Sequence, residues 1–342
     1  MKVVVLCTLS SGLSAVKFAL DMGVVITKVI GLDDVQNRDK AAISGVVDIA
    51  KFCIANKLDF DYVSDYSLKT EPTEILGVDV DILWVCGWQR LLPDAFIEVA
   101  NIATIGAHGS CDGILKGRGR SPQNWALMIR AKKFQISIFK ISSGVDDGDI
   151  IDTEEYELTA YDSINTSYIK ATYIVAKMIS KVFFDPALVE VSSKQKGVAT
   201  YFPKRTKEDG AIDWSMSALD IHNQIKALEA PYPNAFSRCN EATIFINRSV
   251  PICVSTNFQS GEIVQLLEDG TFLVACADGL LQVLDYYTQD VDIKLRSGMK
   301  FEKFDISQSA NIIFDRFKQE FPDKKLNKSL LDFWKKNKVT LN

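Results

Sequence analysis

Val3-Val4-Val5-Leu6-Cys7, followed by Ser10-Ser11-Gly12 and a helical stretch from Leu13 to Met22, decides how this chain folds. The short β-branched run suits a strand buried on both faces. A small-residue turn then leads directly into a helix. The alternation continues with a strand pattern from Val24 to Ile30 and a helix from Ala41 to Ala55. Ile82-Leu83-Trp84-Val85-Cys86 reads as another buried strand, ending at Gly87. Ile102 to Ala107 and Ile136 to Ile141 add two more, with a helix from Pro122 to Ile129 between them and a long one from about Ser163 to Phe183. Strand–helix alternation of this kind predicts an α/β fold with a doubly wound, mostly parallel sheet.

The texture changes near Lys194. From there to Trp214 the chain is polar, with Tyr201-Phe202-Pro203 and Asp209-Gly210, which suits an extended connector. A helix from Ala218 to Leu228 precedes Pro231-Tyr232-Pro233. Short strand patterns follow at Thr243 to Asn247, Gly261 to Leu267, Thr271 to Cys276 and Leu280 to Tyr286, the spacing of a small β-barrel or sandwich. The last stretch, Arg316 to Asn342, is rich in lysine yet carries Phe317, Phe321, Phe333 and Trp334, so it reads as a helical tail docked on the body. The predicted division is therefore residues 1–200, residues 201–305, and a tail from 306 to 342.

At 342 residues, close to half of them apolar, the chain suits two domains and can bury a substantial core. A net charge of -5 disfavours a protein whose main work is coating nucleic acid. No apolar run is long enough to span a bilayer, and Met1-Lys2-Val3 enters a strand pattern with no leader-like segment, so no membrane role is expected. Seven cysteines are scattered singly, none at metal-ligand or redox spacing; this suits reduced thiols in a cytoplasmic protein with no metal site.

Two histidines are present. His222 lies in a helical pattern beside Ile221 and Ile225 and reads as a helix-face residue. His108 follows the strand ending at Ala107 and opens a glycine-rich loop at a strand's carboxyl end, where open parallel sheets bind ligands. A histidine there can stabilise an oxyanion or carry a proton near neutral pH. Gly144-Val145-Asp146-Asp147-Gly148-Asp149 is a turn between strands. Its carboxylates are ordinary turn formers alone, but one of them, paired with His108, could orient and charge the imidazole. Between the two lies Lys116-Gly117-Arg118-Gly119-Arg120-Ser121-Pro122-Gln123-Asn124, arginines on a glycine loop before a helix, which suits a phosphate or carboxylate as well as a plain basic surface.

These residues resemble the formyltransferases that use N10-formyltetrahydrofolate. That family is marked by Asn-x-His-Pro-Ser, an Arg-Gly loop entering a helix, and a Leu-Asp-x-Gly-Asp-Ile turn. The counterparts are Gly106-Ala107-His108-Gly109-Ser110, Arg118-Gly119 and Val145-Asp146-Asp147-Gly148-Asp149-Ile150. The likeness continues through Gly87-Trp88-Gln89-Arg90-Leu91-Leu92-Pro93, Tyr201 to Arg205, Ile212-Asp213-Trp214 and Pro231 to Phe236, in order, from residue 1 to about 290. It implies a Rossmann-like catalytic core followed by a small OB-like β-barrel. It also implies that His108 holds the formyl oxygen as charge develops while Asp146 assists proton transfer. Folate binding would fall to Trp88, Gln89, Arg90, Leu91, Leu92, Ile141, Gly144 and Val145. Ser10, Ser11, Gly12, Arg118, Arg120 and Tyr232 would face the amine-bearing substrate. The family's catalytic asparagine is replaced by Gly106, which removes one oxyanion donor, a loss on the order of a hundredfold or more in turnover. Asn124 is the candidate replacement, with a backbone N–H or water as the other routes.

Three readings of the acceptor follow. The Gly-Arg-Gly-Arg loop and Pro-Tyr-Pro-Asn-Ala-Phe look most like the branch that formylates a nucleotide-linked amino sugar for surface polysaccharide, with the arginines on its diphosphate. Methionyl-tRNA formylation ranks second, because the expected barrel carries few cations, Arg238, Arg248, Lys294, Arg296 and Lys300, where RNA needs many. A degenerate, non-catalytic binder of folate or sugar nucleotide ranks third, supported by Gly106 alone. A homodimer is compatible with all three.

Overall fold

The elements of the first half follow the sequence pattern closely: β1 (Val3–Leu6), α1 (Ser10–Asp21), β2 (Ile26–Leu32), α2 (Ala50–Asn56), β3 (Asp59–Val63), β4 (Ile82–Val85), α3 (Asp94–Ile97) and β5 (Ala103–Ser110). They are followed by β6 (Arg118–Gly119), α4 (Pro122–Met128), β7 (Lys133–Lys140), β8 (Ile150–Glu157) and α5 (Ile164–Phe184). This computed structural model describes residues 1–33, 45–289 and 293–341. The chain forms two compact units. One comprises Met1–Arg118, Lys133–Glu157 and Thr166–Ala199; the other comprises Gly119–Lys132, Leu158–Asn165 and Thr200–Asn342.

The first unit is built on a seven-stranded sheet of order β3-β2-β1-β4-β5-β7-β8. The pairings from β3 to β5 are parallel and the two involving β7 are antiparallel. All four side chains of β1 and of β4 are buried, as their unbroken apolar runs require. The chain order reverses between β1 and β4, and such a switch point opens a crevice at the strands' carboxyl ends. Thr8 Oγ1 donates to Gly87 O at 2.7 Å and ties those two ends together. Gly12 stands where α1 meets β4: a Cβ there would come within 2.5 Å of Cys86 O, so only glycine allows the helix this close. One apolar cluster gathers Leu6, Ile30, Leu83, Tyr66, Trp88, Leu92 and Phe96, with Ile141 packed against it.

Three expectations change. The helix expected over Ala41 to Ala55 is α2, Ala50–Asn56; residues 41–44 lie outside the described residues. Strand β3 has no apolar run to announce it, because its burial alternates on the outer edge of the sheet. Strand β5 continues to Ser110, so His108 stands on a strand opposite Ser137 instead of opening a loop.

In the second unit β9 (Thr200–Phe202) and α6 (Ala218–Ala227) precede five strands, β10 (Ala235–Cys239), β11 (Ala242–Ile252), β12 (Ile263–Leu266), β13 (Phe272–Ala275) and β14 (Leu280–Gln289). These strands form the antiparallel sheet of the expected small β domain, in the order β10-β11-β14-β13-β12. The C-terminal stretch forms α7 (Ile306–Glu320), β15 (Lys325–Leu326) and α8 (Lys328–Lys336). It is part of this unit: β15 pairs with β9, Trp334 meets the Trp125 ring edge-on at 6.4 Å, and Arg316 forms two hydrogen bonds to the Asp209 carboxylate.

Candidate active site

His108 and Asp146 come together in the first unit. His108 Nδ1 lies 3.3 Å from Asp146 Oδ2, with the two side chains 11% and 22% exposed. Nε2 lies 2.7 Å from Gly117 O. A carbonyl and a carboxylate can only accept, so the ring faces an acceptor at each nitrogen, and only the doubly protonated ring can donate to both. The strand β5 sets the histidine, and the turn between β7 and β8 sets the aspartate.

That turn is held from outside. Asp146 has φ +49, in the left-handed region that aspartate tolerates better than most residues. Gln195 Nε2 donates to Asp146 O at 2.8 Å and to Gly148 O at 2.9 Å, while its Oε1 accepts from Arg118 Nη2 at 2.7 Å. Gln195 carries no motif in the polar connector, and sequence reading passed over it. Arg118 is itself buried, with its Nε lacking a hydrogen-bond partner among the described residues.

Gly106 lies two residues before His108 on β5, and side chains at that spacing share a face of the strand. Its φ is not positive. A Cβ would meet Ile141 Cγ1 at 3.0 Å and Cδ1 at 3.1 Å, so the root of an asparagine side chain is already occupied by Ile141. The proline position after the histidine is equally closed: a Cβ at Gly109 would come within 2.4 Å of both Ile136 and Phe134 side-chain atoms. Asn124, the candidate replacement donor, belongs to the second unit, where its buried Nδ2 donates to Ala227 O at 2.7 Å and serves the packing of α4 on α6.

The segment expected to hold folate is organised by Tyr66, which the sequence reading also missed. Trp88 packs edge-on against its ring at 4.9 Å, Gln89 N donates to its hydroxyl at 2.8 Å, and the Arg90 guanidinium lies 5.2 Å from its ring centre. Leu92 is buried, whereas Leu91 is 60% exposed. The Trp88 indole N–H is buried without a hydrogen-bond partner among the described residues. Ile141 N donates to Thr104 O at 2.8 Å, and Gly144 and Val145 lie half-buried in the Asp146 turn.

Of the residues expected on the amine side, Ser10 is exposed and Ser11 half-buried at the start of α1, while Gly12 is buried, with the position a Cβ would take lying against Cys86 O. Arg120 and Tyr232 belong to the second unit; Arg120 N donates to Phe202 O, and Tyr232 N donates to Glu229 O just after the cis Ala230–Pro231 bond. A cavity of about 50 Å³ within that unit, lined by Trp125, Arg205, Asp213 and Trp334 among others, contains none of the expected site residues. Among the described residues no group of three metal-ligating side chains occurs, and no helix is long and apolar enough to cross a membrane.

A mostly parallel sheet with a histidine–carboxylate pair near its strand ends, joined to a unit built on an antiparallel sheet, defines a two-part α/β protein of group-transfer type. The chain belongs to the formyl transferase family, whose members move a one-carbon formyl group. The model described as "Formyl transferase" matches residues 13–182 and that described as "Formyl transferase, C-terminal domain" matches residues 204–291. A methionyl-tRNA formyltransferase from Fusobacterium nucleatum is 28% identical over 236 residues, covering 68% of this chain and 75% of that protein. Among solved structures, HypX from Aquifex aeolicus, in complex with tetrahydrofolic acid, aligns with TM-score 0.58 at 14% identity, over 84% of this chain but only 44% of its own. An N-formyltransferase from Helicobacter canadensis, in complex with folinic acid and dTDP-3-aminofucose, aligns with TM-score 0.56 at 16% identity over 84% of this chain and 100% of its own.

Proposed function

We propose that this protein transfers the formyl group of N10-formyltetrahydrofolate to the primary amine of a nucleotide-linked amino sugar. The observation that carries this reading is the contact of His108 Nδ1 with Asp146 Oδ2 at 3.3 Å on a formyl transferase scaffold. Attack of an amine on a formyl carbon places negative charge on the formyl oxygen, and stabilising that charge is the principal electrostatic task. The folate supplies the formyl carbon. His108 offers its Nε2–H, which faces Gly117 O, to the charged oxygen as a further acceptor, while Asp146 holds Nδ1–H and keeps the imidazole oriented. Asp146 takes up the proton that the attacking amine sheds and returns it to N10 as the bond from the formyl carbon to N10 breaks and tetrahydrofolate leaves. Trp88, Gln89, Arg90, Leu91, Leu92, Ile141, Gly144 and Val145 are proposed to hold the pterin, and the Trp88 indole N–H, without a partner among the described residues, fits a polar ring edge. The sugar acceptor rests on the similarity to the Helicobacter canadensis enzyme.

Methionyl-tRNA is the second reading, favoured by the 28% identical relative. One experiment separates them: incubate the protein with formyl-folate and either a panel of nucleotide-linked amino sugars or charged initiator tRNA, and follow product masses. Formylation of a sugar amine with no gain on the tRNA is expected. Formylation of the tRNA alone would overturn the sugar reading, and transfer to neither would overturn both.

A further inference from the structure

We propose that Gln195 is a positioning residue for Asp146, an inference that rests on the formyl-transfer reading of the His108–Asp146 pair. The left-handed φ of +49 at Asp146 is a conformation that costs free energy and persists only where its surroundings impose it. Gln195 imposes it. Both hydrogens of one carboxamide nitrogen are used on the turn, to Asp146 O at 2.8 Å and Gly148 O at 2.9 Å, so the carbonyls on either side of Asp147 are drawn to a single point. The side chain cannot rotate out, because its oxygen accepts from the buried Arg118 at 2.7 Å. Arg118 directly follows Gly117, whose carbonyl holds the other ring nitrogen of His108. One amide therefore ties together the two segments whose groups meet the imidazole, the Asp146 carboxylate at Nδ1 and the Gly117 carbonyl at Nε2. Gln195 touches neither nitrogen, and it acts by fixing what does.

Two substitutions separate this role from bulk packing. Gln195→Glu keeps the length and the acceptor for Arg118 but, ionised, has no hydrogen for the two carbonyls. Gln195→Met keeps the approximate shape and loses donors and acceptor alike. Both should lower kcat by about 10- to 100-fold, the usual effect of removing a group that orients a catalytic ligand, with a clearly smaller rise in KM for formyl-folate from the loosened turn at Gly144 and Val145. Because the chain has two histidines, with His222→Gln identifying the second, nitrogen-edited NMR of the substrate-free protein reads the same geometry directly. The His108 Nδ1–H signal, shifted by its carboxylate partner, should be present in the wild type and lost or broadened in both variants. Unchanged kcat, a KM rise matching the kcat loss, or a His108 signal identical in variants and wild type would overturn the proposal. A wild type that moves no formyl group at all would sink the functional reading instead, and the imidazole signal alone would then decide the role of Gln195.

Discussion

Gly106→Asn tests what stands in the place of a missing oxyanion donor. The backbone of residue 106 lies outside the left-handed region, so asparagine brings no backbone strain, and loss of glycine's freedom in the unfolded chain stabilises by about 0.4–1 kcal/mol. Against this, the new Cβ presses on Ile141 at 3.0 and 3.1 Å and on Phe139 at 3.4 Å, and overpacking of a filled site costs about 1–3 kcal/mol. Gly106 is buried, so an amide that finds no partner costs about 1–3 kcal/mol more. The balance is a net loss of about 1–6 kcal/mol, visible as a lower urea midpoint at unchanged slope. Ile141→Ala removes both of the closest atoms, so the cost of Gly106→Asn should be about 1 kcal/mol smaller in that background, the size of coupling found between touching residues. Turnover should fall as well, because the displaced Ile141 is proposed to wall the folate site. A Gly106→Asn variant as stable and as active as the wild type would refute this account. An equal stability cost with and without the Ile141 side chain would show that the crowding is not at Ile141.

His108→Ala should reduce turnover by several orders of magnitude, and Asp146→Asn by about 10²–10⁴-fold, with folate binding by titration within a few-fold of wild type in each. Asn124→Leu should lower stability by about 1–3 kcal/mol, because Ala227 O loses its donor, yet leave turnover per folded molecule unchanged; a large kcat loss would return Asn124 to the catalytic machinery. Burial, with the Lys226 charge adding to it, holds the His222 imidazole down to about 4 from its ordinary 6.5. The folded state therefore stays neutral where the unfolded chain takes a proton. Stability should fall as pH drops from 6.5 towards 4, and His222→Gln should flatten that part of a melting-temperature profile.

Much of this architecture is legible in the sequence because burial on both faces leaves unbroken apolar runs, as in Val3–Leu6 and Ile82–Val85. Strand Asp59–Val63 escapes that logic, since one of its faces meets solvent and acidic residues interrupt it. The end of β5 was hidden by Gly109, which reads as a loop residue but is glycine because Ile136 and Phe134 leave no room for a side chain. His108 and Asp146 were recognisable through motif order. Tyr66 and Gln195 were not, because a hydroxyl or an amide that fastens distant backbone has no spacing rule to betray it.

Helix α4 has a consequence for the making of the protein. Its Trp125 Nε1 donates to Pro203 O, 78 residues later, and its Asn124 to Ala227 O, 103 residues later. Chains grow at roughly 5–20 residues per second, so these partners arrive about 4–20 s after the helix itself. Over that interval Trp125, Leu127 and Met128, all buried in the finished fold, belong to a helix whose neighbour α6 is not yet made. Such a stage is a natural target for chaperones and a point of entry for aggregation. A chain stopped near residue 200 would remain there permanently, so the first two hundred residues should not behave as a well-folded protein by themselves.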